Sequence, residues 1–436
     1  MPKITHAVTG YAGGLALALF AAAAEGTDWP GWRGPNRDAA SSESGLLPAW
    51  PASGPPLAWK ASGIGSGLSS VAVVANRIFT MGDRSGSQHV VALDAKDGKI
   101  LWSARVGPAW VEEYGGSRST PSVDGESVYA LGTDGDLVCL EAATGKERWR
   151  KSLTRDFGGV MMSRWKFSES PLVDGDRVVV TPGARDGALV ALDKRTGATI
   201  WKAAIPDLGP NGNDGAAYSS IVISNAAGVK QYVQLMGRGL VGIRADDGKF
   251  LWGYNRVANG TANISTPIVR ASWVFASTGY QTGAALLELS KTPDGGVKAK
   301  ELYFLDPTTF QNHHGGIVLV GDHLFAGHGH NKGFPICLDF ITGKVVWGGD
   351  IRNAGSGSAA VMYADGRLYF RYQNGVVLLV DASPSGYKER GSLTIPDVKN
   401  PSWPHLVVAD GRLYVREQDV LYVYDVKAGG AAAAAR

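Results

Sequence analysis

The chain has 436 residues, with 43 Lys and Arg against 40 Asp and Glu for a net charge of +3. Both signs are interspersed, which leaves no basic stripe, and with no nucleic-acid motif present this argues against a nucleic-acid partner. The 59 Gly and 21 Pro, with almost no helical periodicity, exclude a helical bundle and imply an all-β chain rich in tight turns.

Residues 1–24 carry Lys3, an apolar run from Ala7 to Ala24 and the small-residue end Ala22-Ala23-Ala24. This is the pattern of a cleavable export signal, and an uncleaved anchor is the alternative. No Cys near the cleavage point is available to carry a lipid, and no later stretch is long enough to span a bilayer. The expectation is a mature protein in the periplasm or outside the cell. Residues 25–55 form a leader containing Asp28-Trp29-Pro30-Gly31-Trp32-Arg33-Gly34-Pro35-Asn36-Arg37, expected to lie extended along the folded body with its tryptophans in surface grooves.

From residue 56 to 426 one phrase repeats, clearest in Leu93-Asp94-Ala95-Lys96-Asp97-Gly98-Lys99-Ile100-Leu101-Trp102. It ends in Trp102, Trp149, Trp201, Trp252 and Trp347, spaced at about fifty residues or twice that, which is a propeller-blade period. Within a repeat, short apolar runs such as Val128-Tyr129-Ala130-Leu131 and Leu137-Val138-Cys139-Leu140 read as strands. Asp124-Gly125, Asp174-Gly175, Asp365-Gly366 and Asp410-Gly411 supply the positive φ angles of two-residue hairpin turns. A Thr-Gly-Lys turn precedes the final strand, so each repeat predicts a four-stranded antiparallel blade. One such blade exposes two apolar faces and is stable only when stacked in a ring. A fixed Trp per blade therefore reads as packing at the joints.

Eight copies of the second strand, from Arg77-Ile78-Phe79 to Arg412-Leu413-Tyr414, predict an eight-bladed β-propeller. The last copy lacks its fourth strand, and an unmatched strand around Trp59 stands at the other end, so the two ends should complete one blade. Blade five carries an insertion from Ser290 to Lys300 and blade seven lacks its Trp, which leaves a seven-bladed ring as the alternative. Cys139 and Cys337 occupy equivalent positions in blades two and six, across the ring from one another and far beyond the separation of about 7 Å that a disulfide tolerates. They should stay unpaired as small buried fillers. Residues 427–436, ending in five alanines and Arg436, are expected to form a disordered tail.

The phrase Ala-Leu-Asp-x-x-x-Gly-Lys-x-x-Trp, repeated over nearly the whole mature chain, resembles the pyrroloquinoline-quinone (PQQ)-type propeller repeat. That superfamily includes quinoprotein dehydrogenases and the lipoprotein propeller of the outer-membrane barrel assembly machine. The resemblance implies the fold and, for an enzyme, a PQQ cofactor with calcium bound by Glu, Asn and Asp, over a disulfide of two adjacent cysteines. This chain has no adjacent Cys pair, and no motif places the calcium ligands, so no catalytic residue is carried over.

The polar segments leading into each first strand should ring the channel mouth. They bring Arg118, Glu169, Tyr218, Asn263, His313, His314, Trp403 and His405 to one face, and a long insertion from Gly158 to Lys166 adds Arg164 and Trp165. Five of the eight histidines fall between His313 and His330, with His328 and His330 in a Gly-rich loop of blade six. Imidazoles gathered this way can contact a polar ligand or hold a transition metal, although no carboxylate sits at ligand spacing. The functional reading is a non-catalytic binding or assembly module of the cell envelope, with an envelope protein, a small polar ligand or a glycan as partner. The alternatives are a PQQ-dependent alcohol or sugar oxidoreductase, and a carbohydrate-binding propeller using Trp110, Tyr114, Trp165 and Trp403.

Overall fold

Hairpin turns chain the strands of each repeat into a ladder of nearest neighbours, and in the computed structural model, which describes residues 28–398 and 401–429, this produces eight antiparallel blades. Blade one consists of Ala72–Val74, Arg77–Arg84, Ser87–Asp94 and Ile100–Pro108, in that order from the channel outward. Blades two to seven repeat the plan. Blade eight takes Val407–Ala409, Arg412–Glu417 and Val420–Asp425 from the end of the chain and its outer strand, Leu57–Ser62, from the beginning. The antiparallel register of that closing pair sets Trp59 opposite Val423 and Ser62 opposite Val420. The inserted residues of blade five lengthen its outer hairpin, formed by Gly283–Lys291 and Val297–Leu305.

The core lies between blades rather than within them. Phe79 and Val90 of blade one share a buried cluster with Val128 and Val138 of blade two, and Val179 and Ala191 of blade three share one with Tyr232 and Val241 of blade four. The recurring indoles sit in these joints. Trp102, Trp149 and Trp201 each donate Nε1–H to a backbone carbonyl of the following blade, at Ala142 (3.1 Å), Lys194 (3.0 Å) and Ala245 (3.0 Å). Trp347 does the same to Ser383 at 2.9 Å. Each of the first three covers the turn glycine of the next repeat: a Cβ on Gly145, Gly197 or Gly248 would stand 2.5, 2.9 or 2.6 Å from the ring. The same closeness holds for Trp59 over Gly98 across the closing joint. The glycine of the phrase thus serves two needs, a positive φ and room for an indole. Blade five has no such glycine, and Trp252 instead donates to Gln231 of its own blade at 2.6 Å.

Cys139 and Cys337 are free and buried, and they face Trp149 and Trp347 in register on their respective blades.

The leader is not extended along the outside. Residues 31–38 wind through turns inside the channel, where they bridge the inner strands of several blades. Trp29 exchanges two backbone hydrogen bonds with Val73 of blade one (2.7 and 2.8 Å), and Pro30 O accepts from Val123 N–H of blade two at 2.7 Å. Arg37 donates to the carbonyls of Ser170 (2.7 Å) and Pro171 (3.0 Å) in blade three, and Trp32 Nε1–H donates to Thr266 at 3.0 Å. Arg33 reaches the Ile317 carbonyl of blade six. A propeller channel is lined by the free edges of its inner strands, and these carbonyls need donors. Two arginines, rich in N–H and devoid of acceptors, meet that need. The chain then leaves the channel through Ala40–Ser41, which pairs in parallel with Ala359–Ala364 of blade seven. The expected tail also begins later than residue 427: Lys427 bridges Leu46 and Ala428 N–H donates to Gly45 O. The expected export signal, 1–24, and the last residues, 430–436, lie outside the described residues.

Candidate functional site

The polar lead-in segments first hold the ring together. Ser70 N–H donates to the Thr120 hydroxyl, Thr120 N–H to that of Ser170, and Ser170 N–H to that of Ser220, at 3.1, 2.9 and 3.1 Å, each link joining residues fifty positions apart in neighbouring blades. On the far side Ser265 Oγ bonds Asn312 Oδ1 at 2.8 Å. This belt satisfies backbone donors that no ladder can reach.

Above the belt the channel opens into a funnel-shaped cavity of about 310 Å³. Eight of the residues expected at the mouth line it: Arg118, Trp165, Tyr218, His313, His314, His330, Trp403 and His405. Four do not. Glu169 is buried within blade three, both carboxyl oxygens accepting from Thr181 (2.7 and 2.9 Å). Asn263 turns to the carbonyls of Met236 and Gly237, both at 3.0 Å. His328 stacks on Phe310 inside blade six, and Arg164 lies exposed outside the rim, paired with Glu113 at 2.6 Å. In the first two cases a polar lead-in residue serves an orphaned backbone group or a neighbouring hydroxyl instead of a ligand.

Trp32 and Arg33 are cavity-lining residues that the repeat pattern does not reveal, because they come from the leader. Trp32 lies 4.4 Å from His405 between ring centroids. The Trp-Arg pair between Gly31 and Gly34 was the available signal: a turn-forming segment with bulky donors suits a channel as well as a surface groove. Tyr280 joins the wall through blade five, its hydroxyl 3.0 Å from His313 Nε2.

The histidines form a stacked column rather than a chelating set. His313 lies 3.7 Å from His314 and 4.0 Å from His330 between ring centroids. Both His313 nitrogens are engaged, Nδ1 with Ser358 Oγ at 2.9 Å and Nε2 with Tyr280. His330 Nδ1 accepts Tyr280 N–H at 3.3 Å, and His405 Nε2–H donates to His314 O at 3.1 Å. Among the described residues no three His, Cys, Asp or Glu side chains converge to hold a metal ion. Burial, reinforced by the charge of His330, pulls His313 down to about 3, and burial with the Arg33 charge does the same to His405. Burial, with His313 and Arg118 nearby, holds His314 well below the usual imidazole range. The column is neutral at physiological pH.

Aromatic rings dominate the walls. Trp165 meets Tyr218 edge-on at 6.0 Å, and Trp403 contacts Tyr114 at 5.1 Å and His314 at 4.2 Å. The long loop bearing Trp165 is pinned by Tyr218, whose hydroxyl bonds Ser163 Oγ (2.6 Å) and accepts from Trp165 N–H (3.2 Å). Trp110 lies under Arg118, with the guanidinium 4.3 Å from the ring centroid.

The cavity's carboxylate content is one residue, Glu113, and Arg164 holds it at the rim. A calcium ion bound through Glu, Asn and Asp has no such set here, and the two cysteines are buried on separate blades. The residues present do not fit the quinone and calcium arrangement of the dehydrogenases, and no catalytic step is derived through that group.

Fold and repeat define an eight-bladed propeller of the PQQ-like class. The family model described as outer membrane protein assembly factor BamB matches residues 86–349, and the chain belongs to that family. The outer membrane protein assembly factor BamB of Shewanella oneidensis is 23% identical over 264 residues, covering 57% of this chain and 60% of the relative. That of Alkalilimnicola ehrlichii is 30% identical over 140 residues, 31% of this chain and 32% of the relative. The matched region thus spans less than two thirds of either relative's length. Among solved structures, BamB from Moraxella catarrhalis superposes with a TM-score of 0.58 at 15% identity, over 84% of this chain and 98% of that one. The quinohemoprotein alcohol dehydrogenase from Comamonas testosteroni gives 0.63 at 13% identity, over 93% and 81%. Likeness at this distance speaks for the fold alone. Among the described residues no helix is long and apolar enough to cross a membrane.

Proposed function

We propose that this protein is an exported envelope propeller that binds rather than transforms its partners, and that its funnel face is the binding face. Membership of a family described by outer-membrane protein assembly supports an envelope role, and the signal-like residues 1–24 support export to the periplasm. The observation that carries the reading is the funnel itself. Aromatic walls and cationic donors without an ion-pair partner converge on one mouth, while its imidazoles are neutral, those of His313, His330 and His405 hydrogen-bonded, and its single carboxylate is tied up in an ion pair. Such a site has recognition chemistry and no poised acid–base pair. Val111, 88% exposed, and the half-exposed Tyr114 extend the apolar rim towards a partner.

The test is deletion of the gene in the source organism, with outer-membrane β-barrel proteins quantified. The expected result is a reduced amount, restored by the native gene and not by one carrying Val111→Asp and Tyr114→Ala. Unchanged β-barrel content in the deletion strain would remove the assembly role. Full rescue by the double variant would move the binding face elsewhere.

A further inference from the structure

Two guanidinium groups line the cavity without a carboxylate partner. Arg33, 3% exposed, forms no ion pair among the described residues, and its Nη1 has no hydrogen-bond partner. Arg118, half-buried above Trp110, donates Nη2–H to Tyr114 O at 2.6 Å and leaves Nε unpartnered. Burial lowers both groups to about 10, which keeps them charged at neutral pH. The carbonyls of Arg37, Asp38 and Ile317 accept from the other Arg33 nitrogens, and the Asp38 carboxylate offsets part of its charge. Nη1 is the donor left unmet, and a buried donor without an acceptor is costly. Two further polar atoms on the same walls lack partners, Trp165 Nε1 and His314 Nδ1. The unmet demand is thus largely for acceptors, beside flat apolar surfaces.

We propose that the cavity binds a monocyclic organic acid, its carboxylate held by Arg118 over the buried charge of Arg33 and its ring lying among Trp165, Tyr218 and Trp403. The inference rests on the funnel being the binding face and names the ligand class for it. A guanidinium is the planar, forked donor that suits a carboxylate. Aromatic walls favour a ring-bearing acid over a bare inorganic anion, and a volume of about 310 Å³ suits a small ligand. Two sources share this chemistry, an aromatic acid and a sugar acid, since either presents a flat apolar face to an indole.

The experiment is calorimetric titration of the purified native protein with 4-hydroxybenzoate and with glucuronate. Each is paired with its neutral counterpart, 4-hydroxybenzamide or glucose, and inorganic phosphate is titrated as a ring-free anion. At least one acid should bind, its neutral counterpart at least about tenfold more weakly, as loss of a charge-assisted hydrogen bond requires. Which acid binds identifies the source. Arg118→Gln should abolish the preference for the acid and Arg118→Lys should restore part of it. Equal binding of acid and neutral counterpart, binding of phosphate as tight as that of either acid, or no binding of either acid would overturn the proposal. The comparison on native protein decides even if the Gln variant fails to fold. Because no protein partner takes part, a failure here leaves the envelope reading to its own genetic test.

Discussion

Trp50 of the leader packs over Gly391 and against Tyr369, 5.8 Å between ring centroids, supplying blade seven with the indole that its own fourth strand lacks. Gly391 pairs with Leu379 in the register that sets Trp149 against Cys139 and Trp347 against Cys337. The joint is filled from another part of the chain. Trp50→Ala should therefore destabilise the propeller as much as Trp149→Ala, by about 3–5 kcal/mol for a buried indole. Chemical unfolding of both variants checks this, and a near-neutral Trp50→Ala would show that blade seven closes without the leader.

The turn glycines separate two costs. At Gly145 (φ +75°) a methyl group meets the Trp102 ring at 2.5 Å, whereas at Gly125 (φ +54°) it meets nothing within 4 Å. Gly125→Ala should cost about 1 kcal/mol, the price of a left-handed backbone alone. Gly145→Ala should cost about 2–4 kcal/mol, because overpacking of the indole adds to it. Equal losses in thermal unfolding would mean that the indole yields freely.

Arg37 ties the leader to blade three through the Ser170 and Pro171 carbonyls. Arg37→Met keeps much of the stem and removes the donors, leaving the buried Ser170 carbonyl unpaired while Pro171 O keeps the Ser122 hydroxyl, for a loss of about 1–3 kcal/mol. Limited proteolysis should then cut the leader first, before the blades.

The pH dependence has two opposed parts. His313 and His405, held near 3, and His314, also well lowered, stay neutral in the folded state while the unfolded chain takes up protons below 6.5. Stability should fall as pH drops below 6.5, by roughly 1 kcal/mol per pH unit for each histidine. Glu169 runs the other way. Burial raises it to about 8 from 4.5, so the folded state keeps a proton that the unfolded carboxylate has lost, and stability falls as pH rises across that window. These histidines, with His328 and His330 also lowered by burial, outweigh one carboxyl below 6.5 and fall away above it, which puts the maximum near neutral pH. Melting temperature against pH measures it, and Glu169→Gln should flatten the alkaline limb and steepen the acid limb between 4.5 and 6.5.

Blade count, ring closure and the separated thiols were legible because each follows from a period: one phrase, one turn pair and one Trp per repeat fix which residues face a joint. The funnel was partly legible, since the lead-in segments of a propeller must meet at one mouth. Its leader residues were not. Arg33 and Arg37 carry charges that argue for solvent, and only the unpaired carbonyls lining the channel, a property of the closed ring, make their burial favourable. Glu169 and Asn263 show the same limit inside the repeats. Their polarity placed them at the mouth, but local hydrogen-bond demand at Thr181 and at Met236 turned them inward.

Site-specific photo-crosslinking in living cells tests the binding-face assignment most directly. A photoreactive amino acid placed at Val111, exposed in the segment that leads into the cavity-lining Glu113 and Tyr114, is compared with one at Leu101, exposed on the outer strand of blade one. The expected result is a discrete adduct with an envelope protein from position 111 and none from 101. Adducts from 101 alone, or from neither position in cells where the protein is abundant, would contradict the funnel as the face that meets a partner.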